Sequence, residues 1–544
     1  MVSMFKNGNI HTVESLNSKA DSFVVDGNRF EYVGTEKGAR EYLNKRNCSY
    51  SEFDLCGHLV LPGFNDSHMH FVHFAKSLSS VSLVGTKSLQ DVRSRLKKRL
   101  EERTPEDNFW LVGEGWNHDY FTEKRFPTKF DLDDITGEVP TLILRTCFHI
   151  GVLNSAAMKI INLDKSTAPQ YGSLVELMPD GEPNGVIKEN LLEQVKANTS
   201  VLDLISLKKI ICEAQDKALA QGLTSVQTDD FGYVQGNNYD LLFRAYNELE
   251  QETKLNIRIG EQCLLQTTDE IQNFFDKGYR FGYGSEKYRV NCIKLLSDGS
   301  LGARTAAMRT PYNDDPSTNG IELFSQDELN SAVLLAHEND CPVAIHGIGD
   351  RAIEMSLNAI EYAKIKAPEH NPRHGIVHCQ ITDNALLDRF KKLDVTAFVQ
   401  PIFIDYDMDI VRNRVGNKIA ETSYAWKTMI DKGIHTPFGT DCPVEALNTM
   451  PNIYSAVTRK NITENEKKTY LPNEKMSMYE AIKSYTLEGA YASGEEKIKG
   501  SISKGKLADF IILDKDLFNL NDDEEILETH IIKTYVDGKM VYSA

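Results

Sequence analysis

The chain lacks a long apolar run. No stretch approaches the ~20 consecutive apolar residues of a membrane-spanning helix, so none is expected. The opening Met1-Val2-Ser3-Met4-Phe5-Lys6-Asn7-Gly8 has no sustained apolar core of the kind a secretory signal carries. Basic residues are outnumbered: 61 Lys and Arg stand against 79 Asp and Glu, a formal net charge of −18. Nucleic acid and anionic membrane both reward a basic face, so neither is an expected partner. The nine cysteines are scattered, odd in number and free of any Cys-x-x-Cys pair. They read as reduced thiols of a cytoplasmic protein. Repeats and low-complexity tracts are also missing.

What is present is an ordinary globular composition, 41% hydrophobic and 26% charged, in 544 residues that can bury a large core. Both ends read as short strands with Asp-Gly turns. At the N-terminal end these are Phe23-Val24-Val25 and Phe30 to Gly34 around Asp26-Gly27-Asn28. At the other end they are Asp509 to Asp514 and Thr534 to Tyr542. We expect 1–60 and 499–544 to share one composite β-sandwich domain, with 61–498 inserted between them.

That middle part alternates apolar strands with helical stretches, the pattern of a parallel α/β fold. Strands are expected to end near His70, Thr228, Cys263, Lys294, His346, His378, Gln400 and Asp441. Eight such strands are the count of a (β/α)8 TIM barrel, whose functional residues sit at the C-terminal strand ends. The interval from His70 to Thr228 is too long for one βα unit, so an insertion is expected at about 105–200. An insertion after a barrel strand is a natural lid or substrate wall.

The chemistry gathers at those strand ends. In Leu61-Pro62-Gly63-Phe64-Asn65-Asp66-Ser67-His68-Met69-His70 the two histidines fall on one face of a strand, within reach of one ion. Lys294 lies inside an apolar run, where burial disfavours an ammonium. It reaches the surface, pairs with Asp298, or holds carbon dioxide as an anionic carbamate able to bridge two cations. His346 and His378 each end an apolar run and are core groups or ligands. Asp441, after Phe438-Gly439-Thr440, is a helix N-cap or a ligand. One metal centre accounts for all six positions together.

The constellation resembles the amidohydrolase superfamily, and more narrowly amidohydrolase family 3, the N-substituted formamide deformylase-like hydrolases. The matching pieces span nearly the whole chain: Leu61–His70, Arg145 to Met158, Asp180 to Gly185, Lys294–Thr305, His346–Ala352, Arg373–Gln380, Gly439–Val444 and Gly500 to Leu513. The resemblance implies that His68, His70, carboxylated Lys294, His346, His378 and Asp441 line one metal centre. Two positions depart from the family pattern, Val377 and Cys147-Phe148.

The expected activity is hydrolysis of a carbon–nitrogen bond in a small amide, formamide or cyclic amide by a metal-activated hydroxide. One or two divalent ions are expected, zinc first, with iron, manganese or nickel also suited to such ligands. Asp441 is expected to move the proton, and His149 is the candidate for polarising the substrate carbonyl. Trp116 and Phe121 either wall the substrate or pack, while His73, His118 and His374 carry no assigned role. Ester, lactone or phosphotriester hydrolysis on the same centre is the alternative, and a non-catalytic scaffold the third reading. The partners expected are a small-molecule substrate and, at most, a second copy in a homodimer.

Overall fold

Seven of the eight apolar runs form strands of one parallel sheet in the computed structural model, which describes residues 2–104, 110–146, 150–199, 202–234, 236, 238–462 and 466–544. We number them β1 (Phe64–Met69), β2 (Leu223–Thr228), β3 (Arg258–Leu264), β4 (Tyr288–Leu296), β5 (Val343–Gly347), β6 (Gly375–His378) and β7 (Thr396–Phe398). Each pairs in parallel with the next in chain order. The eighth run closes the ring through its backbone. Val399 N–H donates to Pro437 O at 3.0 Å on one side, and Ser67 N–H donates to Phe438 O at 2.8 Å on the other. The result is a TIM-like barrel, buried on both faces as the continuous apolar runs require.

The connecting helices are set by local chemistry. Asn384–Leu393 is capped by Asp383, whose side chain accepts from Leu386 N–H, and it stops at Asp394 in the left-handed region at φ 53. Its buried residues Leu386, Leu387, Phe390 and Leu393 recur at helical spacing and form its inner face. Capping boxes start the helices Thr268–Asp276 (Thr267 with Glu270) and Gln326–Glu338 (Ser325 with Glu328). No helix among the described residues is long and apolar enough to cross a membrane. Cys48, Cys56, Cys263, Cys292, Cys341, Cys379 and Cys442 are free thiols.

The two termini build a sandwich. Phe510–Leu513 pairs antiparallel with Leu59–Pro62, so strands from both ends share one six-stranded sheet. A four-stranded sheet containing Val2–Lys6, Ser22–Asp26 and Arg29–Gly34 faces it. Their common core is aromatic: Phe5 lies 4.9 Å from Phe23 in its own sheet and 5.1 Å from Phe510 in the other. The turn between Ser22–Asp26 and Arg29–Gly34 uses Gly27 at φ +64, a conformation that costs glycine little.

The chain divides into two compact units: Met1–Phe71 with Gln215–Asp230 and Thr253–Ala544, and Val72–Ala214 with Phe231–Glu252. The first holds the barrel and the sandwich. The second contains the range 105–200 and is built on a six-stranded sheet running from Val81–Ser82 through Leu111–Trp116 and Thr141–Arg145 to Val175–Leu177. Trp116 and Phe121 are fully buried in its core, so both are packing residues and the aromatic-wall reading is corrected.

One buried ion cluster ties barrel to sandwich. The Arg258 guanidinium, at the start of β3, bonds Asp509 at 2.6 and 2.8 Å and Asp537 at 2.6 Å, and Lys287 reaches Asp537 at 2.7 Å. Burial works against the Asp537 carboxylate, but Arg258 and Lys287 outweigh it and hold its pKa down to about 2. A depressed folded-state pKa adds stability at pH values above the ordinary 3.8, and that stability is lost as pH falls through about 2. Replacing Arg258 by Met leaves buried carboxylates without their guanidinium, a loss of about 3–5 kcal/mol. Thermal unfolding at neutral pH should show a clear drop in Tm, and the acid-labile step between pH 4 and 2 should shrink. An unchanged Tm would refute this account of the cluster.

Candidate metal centre

Strand register brings the site together. Leu264 lies beside Lys294, Leu296 beside His346, and Gly347 beside His378, so these side chains leave adjacent strands at the same end of the barrel. His68 is the penultimate residue of β1 and His70 follows its last, with ring centroids 5.3 Å apart. Asp441 arrives on the closing segment, where its N–H donates to His68 O at 2.8 Å. That approach needs a glycine: a Cβ at Gly439 would stand 2.7 Å from both His68 N and His68 O. His378 and Asp441 hold left-handed backbones at φ +77 and +59, uncommon for non-glycine residues and typical of functional sites.

His68, His70 and Asp441 offer donor atoms that all lie within 4.8 Å of one another. Asp441 Oδ1 is 3.1 Å from His70 Nε2 and 3.4 Å from His68 Nε2, and no aligned hydrogen bond satisfies it. His346 and His378 form the other half, with ring centroids 4.5 Å apart and His378 5.7 Å from His68. Lys294 is fully buried, its Nζ 3.1 Å from His68 Nε2 and 3.7 Å from Asp229 Oδ2. It neither reaches the surface nor meets Asp298, which corrects both plain readings of that lysine. Asp441 turns its carboxylate to imidazoles and is no N-cap.

The decisive feature is the far side of each ring. Gln262 anchors its own amide on Ser67 O, so its Oε1 accepts the Nδ1–H of His68 at 2.7 Å. Gln400 Oε1 accepts from His378 Nδ1 at 2.9 Å, Asp298 Oδ1 from His346 Nδ1 at 2.8 Å, and Asp229 Oδ1 from His70 Nδ1 at 3.3 Å. Each bond holds its ring through Nδ1 and leaves Nε2 as the atom available for a ligand contact. Metal-binding histidines are oriented in this way. Asp66, buried behind the site, accepts from Thr440 N–H and Oγ1–H and from His68 N–H, tying β1 to the segment that presents Asp441.

The electrostatics call for a cation. Burial, with Lys294 nearby, lowers the His68 pKa to about 4, and burial drives His378 well below the ordinary value. Burial also opposes charge on His70, but Asp229 and Asp441 outweigh it and raise that pKa to about 10. Lys294 is lowered by burial, partly offset by Asp229 and Asp441. Asp441 lies well below the usual carboxylate range because His68 and His70 overcome its burial. Asp229 and Asp441, beside the neutral imidazoles of His68 and His378, draw positive charge into their midst, onto His70 or onto a divalent cation, and the donor set fits such a cation.

Asp66, Asp229 and Gln262 escape sequence reasoning, and Asp298 and Gln400 are visible there without their roles. His149 lies outside the described residues, as do Cys147 and Phe148. His374 is a buried structural group, 2.8 Å from His337, while His73 stacks on Tyr233 and His118 meets the edge of Phe126.

Comparison with known proteins agrees with this arrangement. Residues 51–542 match the amidohydrolase family. "Putative amidohydrolase YtcJ" of Bacillus subtilis is 30% identical over 100% of this chain and 99% of its own length. The N-substituted formamide deformylase of Arthrobacter pascens is 25% identical over 99% of this chain and 98% of its own. A crystal structure of an uncharacterized metal-dependent hydrolase from Pyrococcus furiosus is 28% identical, covers 95% of this chain and 100% of that one, and has a TM-score of 0.79. The chain belongs to the amidohydrolase family.

Proposed function

We propose that this metal-dependent hydrolase cleaves the carbon–nitrogen bond of a small amide, formamide or cyclic amide. The observation that carries the reading is the set of histidines pinned through Nδ1 with Nε2 turned toward Asp441. His68, His70, His346, His378 and Asp441 would hold the metal, with zinc the ion best suited to them. Held by these residues, a divalent ion would supply Lewis-acid polarisation of a carbonyl and a lowered pKa for water.

The chain's own part is proton management and orientation. Asp441 takes the proton of the attacking water and returns it to the leaving nitrogen, so an amine departs neutral and not as an amide anion. Its carboxylate is kept ionised by His68 and His70, the state a base needs. Asp66 holds the backbone that presents it. Lys294 we assign as the site of a carbamate: a buried amine of lowered pKa adds carbon dioxide, loses one proton and becomes an anion among histidines. Electron density ending at Nζ in metal-loaded crystals would remove that assignment.

The full-length similarity to a formamide deformylase supports the amide class over esters and lactones. A panel of N-formyl and N-acyl amines against matched esters and lactones tests it on zinc-loaded protein. Amide turnover exceeding ester turnover is expected; hydrolysis of esters or lactones alone would overturn the bond assignment.

A further inference from the structure

Three consecutive strand-to-helix segments on the metal side of the barrel carry oxygen acceptors outside the ligand set, one amide and two carboxylates. Gln380 follows β6 two residues beyond His378. Asp407 ends the short helix Ile404–Asp407 after β7, and Glu445 lies four residues beyond Asp441. Segments after barrel strands form the substrate-facing rim. Phe403, just before that short helix, stacks on His378 with ring centroids 5.9 Å apart and planes 16° apart, which places this rim beside the centre.

Asp407 is nearly buried and rigidly held. Tyr424 O–H donates to its Oδ2 at 2.7 Å and Gln380 Nε2 donates to the same oxygen at 3.1 Å, so Oδ1 takes neither bond. Gln380 is itself only 3% exposed, and its Oε1 finds no hydrogen-bond donor. Among the described residues neither Asp407 Oδ1 nor Gln380 Oε1 meets a hydrogen-bond donor. Glu445 is half-buried and carries neither an ion pair nor a hydrogen bond among the described residues. Arg414 is within electrostatic reach of Asp407, but its guanidinium bonds Asp314 and Gly302 O. Burying acceptors and carboxylates with no cation bonded to them is unfavourable, and a ligand bearing positive charge relieves it.

We infer that Asp407, Gln380 and Glu445 form a subsite for a cationic substituent, so that the preferred substrate is an amide carrying an ammonium or amidinium group away from the bond that is cleaved. This rests on the hydrolase reading only for the identity of the scissile bond. Burial, with only partial relief from Tyr424, Gln380 and Arg414, raises the Asp407 pKa to about 6. Burial and the neighbouring Asp405, Asp407 and Asp441 raise that of Glu445 to about 7, so a cation here would also keep both ionised.

The test uses zinc-loaded protein and two amides of equal length, N-formyl-1,5-diaminopentane and the uncharged N-formylhexylamine. Calorimetry reads binding and a separate assay reads turnover. Wild type should bind the charged amide about tenfold or more tightly, the range expected of a charge-assisted hydrogen bond. Asp407→Asn, which keeps an acceptor for Tyr424 and Gln380, should collapse that ratio toward one. Glu445→Gln, which removes no contact, should reduce it as well. Equal binding of the two amides by wild type, or a ratio unchanged in both variants, overturns the inference whatever the turnover. A carboxylate-dependent binding preference without hydrolysis of either amide leaves the subsite standing and counts against the amide-hydrolase reading.

Discussion

Replacing His70 by Ala should abolish both metal retention and hydrolysis. His70 supplies one of three donor atoms that lie within 4.8 Å of one another, and Asp229 fixes its ring so that Nε2 faces Asp441. Loss of an outer partner typically costs about 10–100-fold in metal affinity, so loss of a ligand should exceed that. The substitution also removes a group that offsets burial at Asp229 and Asp441, leaving two carboxylates with Lys294, His68 and His378 to support their charge. Metal content and turnover are therefore to be read on protein whose circular dichroism matches wild type. A folded His70→Ala protein that is free of metal and fully active would contradict the placement of the centre.

Asp441→Asn should separate metal binding from proton transfer. The amide keeps the shape of the carboxylate and retains one oxygen facing His68 and His70, so folding and most bound metal should survive. It cannot accept a proton near neutral pH, so the water keeps its proton and the leaving nitrogen receives none. General acid–base help of this kind is worth about 10²–10⁴-fold. We expect kcat to fall by at least about a hundredfold with metal largely retained. Turnover within about fivefold of wild type would show that another group carries the proton, with His149 the first to examine.

The strands and the candidate side chains at their ends were legible because they depend on short-range pattern. Each apolar run ending in His, Lys or Asp became a barrel strand or the closing segment, and His68-Met69-His70 behaved as alternation requires. The residues that orient those ligands were not legible, because they act across strands. Gln262 holds the ring of His68 from 194 positions away, and Asp66 reaches Thr440 across 374. No local signal marks such a glutamine or aspartate until the barrel closes. Trp116 and Phe121 show the opposite case, since an aromatic in a polar segment reads equally as wall or core, and only burial decides. The rim carboxylates Asp407 and Glu445 look like ordinary loop charges in sequence, and only their burial in the fold distinguishes them.

The most direct test of the centre measures metal content and N-formylamine hydrolysis on one wild-type sample, before chelation, after chelation and after stepwise return of zinc. The account predicts that the protein as purified holds at least one equivalent of divalent metal, that chelation removes metal and activity together, and that activity returns in proportion to zinc bound. Undiminished hydrolysis by metal-free protein would contradict it.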